Sequence, residues 1–526
     1  MKRADRYLLL AFAFANAVVY SSLLPLWEGF DEPWHYGYVQ SLEVTRRLPV
    51  LGATRLSQEV WDSMLACPAS HVVAHAWPEL QTFDRYFALS AAARVRERSV
   101  LEAIPRGEAW LPGEHTNYEA QQPPLAYALL AAADSLLANA PIPVRAIWLR
   151  IVASCLAALI TFLAATSLFQ TLGLPATYQA LGLFCIFACQ MYWATVAHVA
   201  NDALGLAFTV WFVASCAAFS GQPGTTGALR LALVTSLGLL TKAYFLPLLA
   251  LGAFVVLYRR VRALPLFAGI VVVLAGPWYL RNLVLYHNVS GLLMTSGGVS
   301  SISSLASVDW SHAIPYMLRA TLWTGNNSFT SFSSATLNCL LALLAAGVVL
   351  YGVQAIRRRP AAEEWSVLGF LAVYGVAVIL VAGNDVVFLK GASAGAAPWY
   401  TIVLLAPALA IVLTGLSRSR RMGRLISAAI VLVASYICVA TYVVKLLPLY
   451  GGYSKGRNTL KETLEWYRSS HHELRSMLST ISLAPPFAIY LGTAVIVSLA
   501  IAIAVRLVYR LTKLNEKTLV SSTGTW

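Results

Sequence analysis

The chain has 526 residues, 58% of them apolar and only 12% charged, with a mean hydropathy of +0.65. Soluble domains carry roughly 25% charged residues, so a soluble enzyme is excluded and an all-α, polytopic integral membrane protein is expected. The net charge of +14 is carried by the loops on one side of the predicted membrane and gives no support to a nucleic-acid role.

Apolar runs of about 17 to 25 residues with few or no charges mark crossings. They fall at 7–26, 147–170, 174–193, 200–219, 229–243, 245–258, 264–286, 336–356, 365–382, 398–416, 425–447 and 486–505, which makes twelve. Two of them, 229–243 and 245–258, are short and interrupted by Lys242 and Pro247, and read equally as a re-entrant pair or one tilted hairpin. The run from Tyr7 to Leu26 is too long for a signal-peptide core and is kept as an uncleaved helix. The amino-terminal tail, the loops at 220–230, 259–263, 357–364 and 417–424 and the tail from Arg506 together hold 18 Lys and Arg against four acids, Asp5, Glu363, Glu364 and Glu516. By the positive-inside rule that side, with both termini, is cytoplasmic. The long loops at 27–145, 287–335, 383–397 and 448–485 are then extracytoplasmic.

After the first crossing comes Gly29-Phe30-Asp31-Glu32-Pro33-Trp34-His35-Tyr36. Adjacent carboxylates and an imidazole this close to the lipid exit are costly without partners and are functional candidates by default. Pro33 stops a helix from running unbroken through the pair. The bland alternative is a polar loop start with Trp34 and Tyr36 as interfacial anchors. Tyr36 to Leu48 has the spacing of an amphipathic helix lying on the membrane surface, whereas Pro49 to Arg106 lacks a clear period and predicts short helices. Asn117-Tyr118-Glu119-Ala120-Gln121-Gln122-Pro123-Pro124-Leu125-Ala126-Tyr127 leads into a run to Leu137 that is apolar except for Asp134. Counted as a crossing it would reverse every later loop, so it reads as a second surface helix, its Pro-Pro start leaving first-turn amides free to meet an anion.

Arg145 and Arg150 stand at the outer end of the next crossing. His198-Val199-Ala200-Asn201-Asp202 adds an acid at the outer face, Lys242 closes the fifth crossing on that side, and Trp278-Tyr279-Leu280-Arg281-Asn282 sets Arg281 just inside the end of the seventh. Arg319, Lys390 and Lys445 also fall near outer ends, where Lys and Arg commonly snorkel to water. The loop from Leu449 to Ser482 is placed to cover a site from outside, and the polar tail after Arg510 reads as disordered. The sequence has no internal repeat, P-loop, dinucleotide fingerprint, Cys-rich metal pattern or GxSxG elbow.

One membrane face thus gathers carboxylates (Asp31, Glu32, Asp202), cations (Lys242, Arg281, with Arg145 or Arg150) and aromatic-rich loops. This set suits a lipid carrying a phosphate or diphosphate, its tail in the bilayer and its charge met by Lys and Arg. A carboxylate opposite deprotonates an acceptor hydroxyl or amine as it attacks the activated carbon, and the phosphate leaves under the same cations.

The motifs FDEPWHY, QQPPLAY, ANDAL, LTKAYFLPL and PWYLRN, in this order over about residues 7–290, resemble the GT-C glycosyltransferases, in the branch of protein O-mannosyltransferase-like and aminoarabinose-transferase-like enzymes. The resemblance implies transfer of one sugar from a polyprenyl-phosphate or diphosphate donor to a lipid, glycan or protein acceptor on the outer face, usually with inversion. It makes Asp31 the base, with Glu32 as the competing choice, gives Asp202 the positioning of acceptor or base, and gives Lys242 and Arg281 the donor phosphate. His35, Tyr127, Asn201 and Arg150 complete the expected substrate-binding set. It further implies a catalytic membrane module over 1–290 and a variable transmembrane half over 291–526, with outer loops 287–335 and 448–485. No soluble carboxy-terminal domain of the oligosaccharyltransferase kind is evident, which favours a single sugar. No clustered acids call for a metal cofactor, although an Asp31-Glu32-His35 ion site stays open. A flippase or transporter of lipid-linked glycans would show repeat symmetry; a polymerase or ligase usually carries its large loop in the later half, whereas here the largest is the first.

Overall fold

The structure is a computed structural model that describes residues 1–107, 115–291, 305–328, 331–388, 395–453 and 459–522, without the side chains of 327, 384–388 and 514–522. Among these it is all-α, with two isolated bridges in place of any sheet. Lys390 lies outside the described residues.

α1 (Arg3–Leu23) leads through a tight turn into α2 (Glu32–Thr45). Four short helices follow: α3 (Gln58–Leu65), α4 (His71–Ala76), α5 (Phe83–Phe87) and α6 (Ala91–Ala103). Each begins alike: Ser57, Ser70, Thr82 and Ser90 sit at the N-cap, and each hydroxyl accepts the amide three residues on. Such a cap satisfies one of the orphan amides of a helix start and is worth about 1 kcal/mol. Caps, not apolar period, therefore punctuate this stretch. α2 departs from the surface-helix expectation, since Glu32 through Ser41 are all buried. The loop covers its polar side, with Gln40 bonded to Glu59 and Glu43 paired with Arg106.

α7 (Leu125–Asp134) has ten residues, about 15 Å of helix, too little to cross a bilayer. It packs on α2 and on α8 (Ile142–Thr171). The amide of Leu125 donates to the carbonyl of Leu240 at 2.9 Å, so the expected anion-binding start is instead docked onto another helix end. α9 (Ala176–Ala188) and α10 (Gln190–Val196) are halves of one apolar run bent by 61°. Gln190 holds the bend, donating to the Tyr20 hydroxyl at 2.7 Å and accepting from the Thr324 amide at 3.0 Å, which is the kind of side-chain insertion that kinks helices. Then come α11 (Asp202–Gly221), α12 (Thr225–Leu239), α13 (Phe245–Arg260) and α14 (Leu264–Tyr286). The later part holds helices Trp310–Leu322, Ser334–Arg357, Ala362–Phe388, Leu405–Ser417, Arg420–Ala440, Leu460–Ile481 and Pro486–Ser522.

Among the described residues nine helices are long and apolar enough to cross a membrane, ten if α9 and α10 count as one bent span. The expected twelve are not reached. α12 has only 15 residues, and residues 245–286 form one apolar stretch of 42, within which a 3-10 turn at Val261–Ala263 separates α13 from α14. α1 packs against α8 and against the last helix. That helix runs antiparallel to it: Leu483 donates to the Ser22 carbonyl at one end, and Arg506 and Arg510 pair with Asp5 at 2.7 and 2.6 Å at the other. It continues to Ser522, where the sequence suggested disorder; Leu, Lys and Glu in that tail are good helix formers. Contacts also cross residue 290, for Ser328 and Tyr450 both donate to Glu28, and Trp399 lies against Phe30 with ring centroids 4.7 Å apart.

Candidate active site

Between α1 and α2 the backbone passes through the left-handed region twice, at Trp27 (φ 65°) and Asp31 (φ 54°). Residues other than glycine are held there only where their surroundings demand it, and such strain clusters at active sites. Gly29 lets the turn approach His198: a Cβ at this position would lie 2.3 Å from the Cβ of His198. Asp31 occupies the N-cap of α2 but makes no side-chain cap. Its side chain is exposed and accepts from the Tyr118 hydroxyl at 2.7 Å.

Glu32 lies next to it and is wholly buried. Arg150, also wholly buried, grips it from α8 through Nε (2.7 Å) and Nη2. The other N–H groups of Arg150 go to the carbonyls of Ser21, Leu24 and Pro25, so all five guanidinium donors are used. Glu32 also accepts from the Val199 amide at 2.9 Å. Glu32, expected as a rival base, and Arg150, expected as a substrate ligand, are thus paired with each other, and the pair braces the turn carrying Asp31. Arg145 is a brace too, wholly buried and paired with Glu59 and, at 3.5 Å, with Asp134.

Asp202 opens α11, and Lys242 lies in the turn from α12 to α13. They form an ion pair with side chains 9% and 10% exposed, a burial that two charges tolerate only when matched. Both face Asp31. Crowding by protein raises the Asp31 pKa, the Tyr118 O–H lowers it, Asp202 raises it and Lys242 lowers it, leaving it above the ordinary range. Asn201 knits the surroundings, donating to Gln122 Oε1 at 3.2 Å and to the Thr241 carbonyl at 2.9 Å.

Further polar groups pack against one another close by. His35 Nδ1 is 2.8 Å from the Tyr127 hydroxyl and 3.5 Å from Glu119, and Tyr127 stacks on Tyr38 with centroids 3.9 Å apart. Burial holds His35 well below its ordinary pKa, and therefore neutral. Glu119 was not singled out from the sequence. Burial first, then Asp31, pushes its carboxyl up to about 8. The available signal was an acid set in the otherwise uncharged run leading to Pro123-Pro124. Arg281 lies near the carboxy-terminal end of α14. It donates to the Pro49 carbonyl at 2.7 Å and lies 4.9 Å from the Trp278 ring centre. Its Nη1 is buried with no partner among the described residues.

Of the residues of the open ion site, Glu32 turns to Arg150 and His35 to Tyr127. Among the described residues no group of three or more His, Cys, Asp or Glu is arranged to hold a metal ion.

No known family profile and no curated protein sequence matches the chain. Solved structures do, and the likeness is one of fold, which is GT-C-like. ArnT, the aminoarabinose transferase of Cupriavidus metallidurans, bound to undecaprenyl phosphate, superposes with a TM-score of 0.50 at 12% identity, over 96% of this chain and 78% of that one. The oligosaccharyltransferase AglB of Archaeoglobus fulgidus, in complex with an inhibitory peptide and a dolichol-phosphate, gives a TM-score of 0.42 at 11% identity, over 92% of this chain and 65% of that one.

Proposed function

We propose that the chain is a membrane glycosyltransferase that moves a single sugar from a polyprenyl-phosphate donor to an acceptor on the extracytoplasmic face, with 1–290 as the catalytic module and both termini cytoplasmic. The observation that carries this reading is Asp31: a strained, exposed carboxylate with raised basicity, beside a buried Asp202–Lys242 pair, on the GT-C fold. The undecaprenyl phosphate held by the Cupriavidus protein supports the donor class, and the 18-to-four charge asymmetry supports the orientation.

In the proposed step the acceptor hydroxyl or amine passes its proton to Asp31 as its heteroatom bonds to the anomeric carbon. The bond from that carbon to the phosphate oxygen breaks on the opposite face, and its electron pair leaves with the polyprenyl phosphate, inverting the centre. Lys242 and the unpartnered Nη1 of Arg281 meet the charge that develops on the phosphate, so the reading needs no divalent cation. Asp202 sets the position of Lys242 and, through it, of the donor. His35, Tyr127 and Asn201 shape the wall against which the acceptor rests.

Asp31→Asn keeps shape and hydrogen bonding while removing proton acceptance, and should lower turnover roughly 10²-fold or more with donor binding retained. Turnover is read as consumption of polyprenyl-phosphate sugar by mass spectrometry of membrane extracts, which also names the donor. Glu32→Gln serves as the contrast, because breaking a buried ion pair costs about 3–5 kcal/mol and should lower the yield of folded protein. Normal turnover by Asp31→Asn would sink the assignment.

A further inference from the structure

Helix Arg420–Ala440 continues into a π-helical turn, Thr441–Leu446, that carries Lys445. Such turns are rare and recur at functional sites. Lys445 does not snorkel as expected from its place near a helix end, being only 7% exposed. Among the described residues no carboxylate or carbonyl takes its ammonium, which stands 5.7 Å from the centre of the Phe332 ring. A largely buried ammonium with no protein partner is a site where an opposite charge is stabilised.

Lys445 lines a cavity of about 520 Å³. Two helix starts open onto the same space: Ser334, at the head of Ser334–Arg357, and Leu460, at the head of Leu460–Ile481. Ser333 caps the first, and Thr459 caps the second in a box that turns the Glu462 carboxylate back onto the Thr459 amide at 2.9 Å. First-turn amides beyond those caps have no helix carbonyl to bond, and the positive ends of two helix dipoles add to the charge of Lys445. Phe332, Ala335, Tyr436, Ala440 and Val444 give the rest of the wall a mostly apolar face, with Thr336 among them. Tyr436 in it is 50% exposed on the flank of a helix apolar enough to span a membrane. Tyr450, just past Lys445, bonds Glu28 at 3.1 Å, which sets the cavity at the same end of the bundle as the Asp31 turn.

We infer that this cavity binds the phosphate headgroup of a membrane lipid, at a site separate from the Asp31 recess and independent of the reaction proposed there. Lys445 and the two helix starts hold the phosphate, and the flank at Tyr436 and Val444 passes the acyl chains to the bilayer. Free phosphate would satisfy the cations but leave that apolar flank wet.

The test uses the full chain, delipidated in neutral detergent, titrated with phosphatidylglycerol and followed by native mass spectrometry. Wild type should retain one phosphatidylglycerol roughly tenfold more tightly than Lys445→Met, a difference of about 1.4 kcal/mol. Lys445→Arg should keep it. Ser334→Asp, at an exposed first-turn position where an acid favours the helix, should fold normally and weaken retention as well. Equal retention by wild type and Ser334→Asp, or by wild type and a folded Lys445→Met, overturns the proposal. Inorganic phosphate displacing the lipid at equal concentration overturns the lipid assignment.

Discussion

Burial raises the pKa of both Asp31 and Glu119, and the charge of Asp31 raises that of Glu119 further. The folded state holds a proton on Glu119 up to about pH 8, against an ordinary value of 4.5; the unfolded chain releases it near the latter. Between those values the folded state binds more protons, so the contribution of Glu119 to stability is present below about 4.5, declines as pH rises and levels off above 8. Glu119→Gln should abolish that part of the decline, measured as the unfolding midpoint in detergent against pH. Identical slopes for the two proteins would show that Glu119 does not titrate in this window. Residue pairings of this kind are hard to read from a sequence. Asp202 and Lys242 each stood out alone, but their pairing joins positions 40 apart, and the burial that shifts Glu119 belongs to the packing of α2, α7 and α11. The separation of Asp31 from Glu32 was legible, because neighbouring residues point in different directions and Pro33 restricts the second.

At the scale of the element, the turn from Leu24 to Asp31 depends on small size at one position. Gly29→Ala would set a methyl against the Cβ of His198, an overpacking that costs about 1–3 kcal/mol. Both the melting temperature and turnover should fall, since the turn that carries Asp31 must shift to relieve the contact. A variant unchanged in both would show that His198 yields instead. The sequence marked this turn through Pro33 and the adjacent acids. Its left-handed residues were hidden, because neither Trp nor Asp signals a positive φ as Gly does. The loop helices were legible as short and no further, although Ser57, Ser70, Thr82 and Ser90 were capping signals that needed no apolar period to be read.

For the whole molecule, hydropathy located the long apolar helices among the described residues, while the count of twelve is not confirmed: α12 has only 15 residues, and residues 245–286, read as two crossings, form one apolar stretch. Orientation rests on charge and is open to labelling. The native Cys67 is 5% exposed and would stay silent, and a side chain at Gly423 would press on the Leu416 carbonyl, so exposed Ala53 and Met422 are the better positions. With the exposed Cys339 replaced by Ser, a membrane-impermeant maleimide should modify Ala53→Cys in intact cells and Met422→Cys only after permeabilisation. The reverse pattern would place Asp31 in the cytoplasm and remove an outward-facing donor. The Arg150 brace also bears on biogenesis. Glu32 leaves the ribosome 118 residues ahead of its partner, and at 5–20 residues per second that interval lasts on the order of ten seconds. Until α8 inserts, an ionised Glu32 is cheaper to keep in water than to bury, so the turn bearing Asp31 waits open at the edge of the bilayer. It closes when the later helix delivers the guanidinium, which makes the arrival of α8 the event that arms the nascent chain.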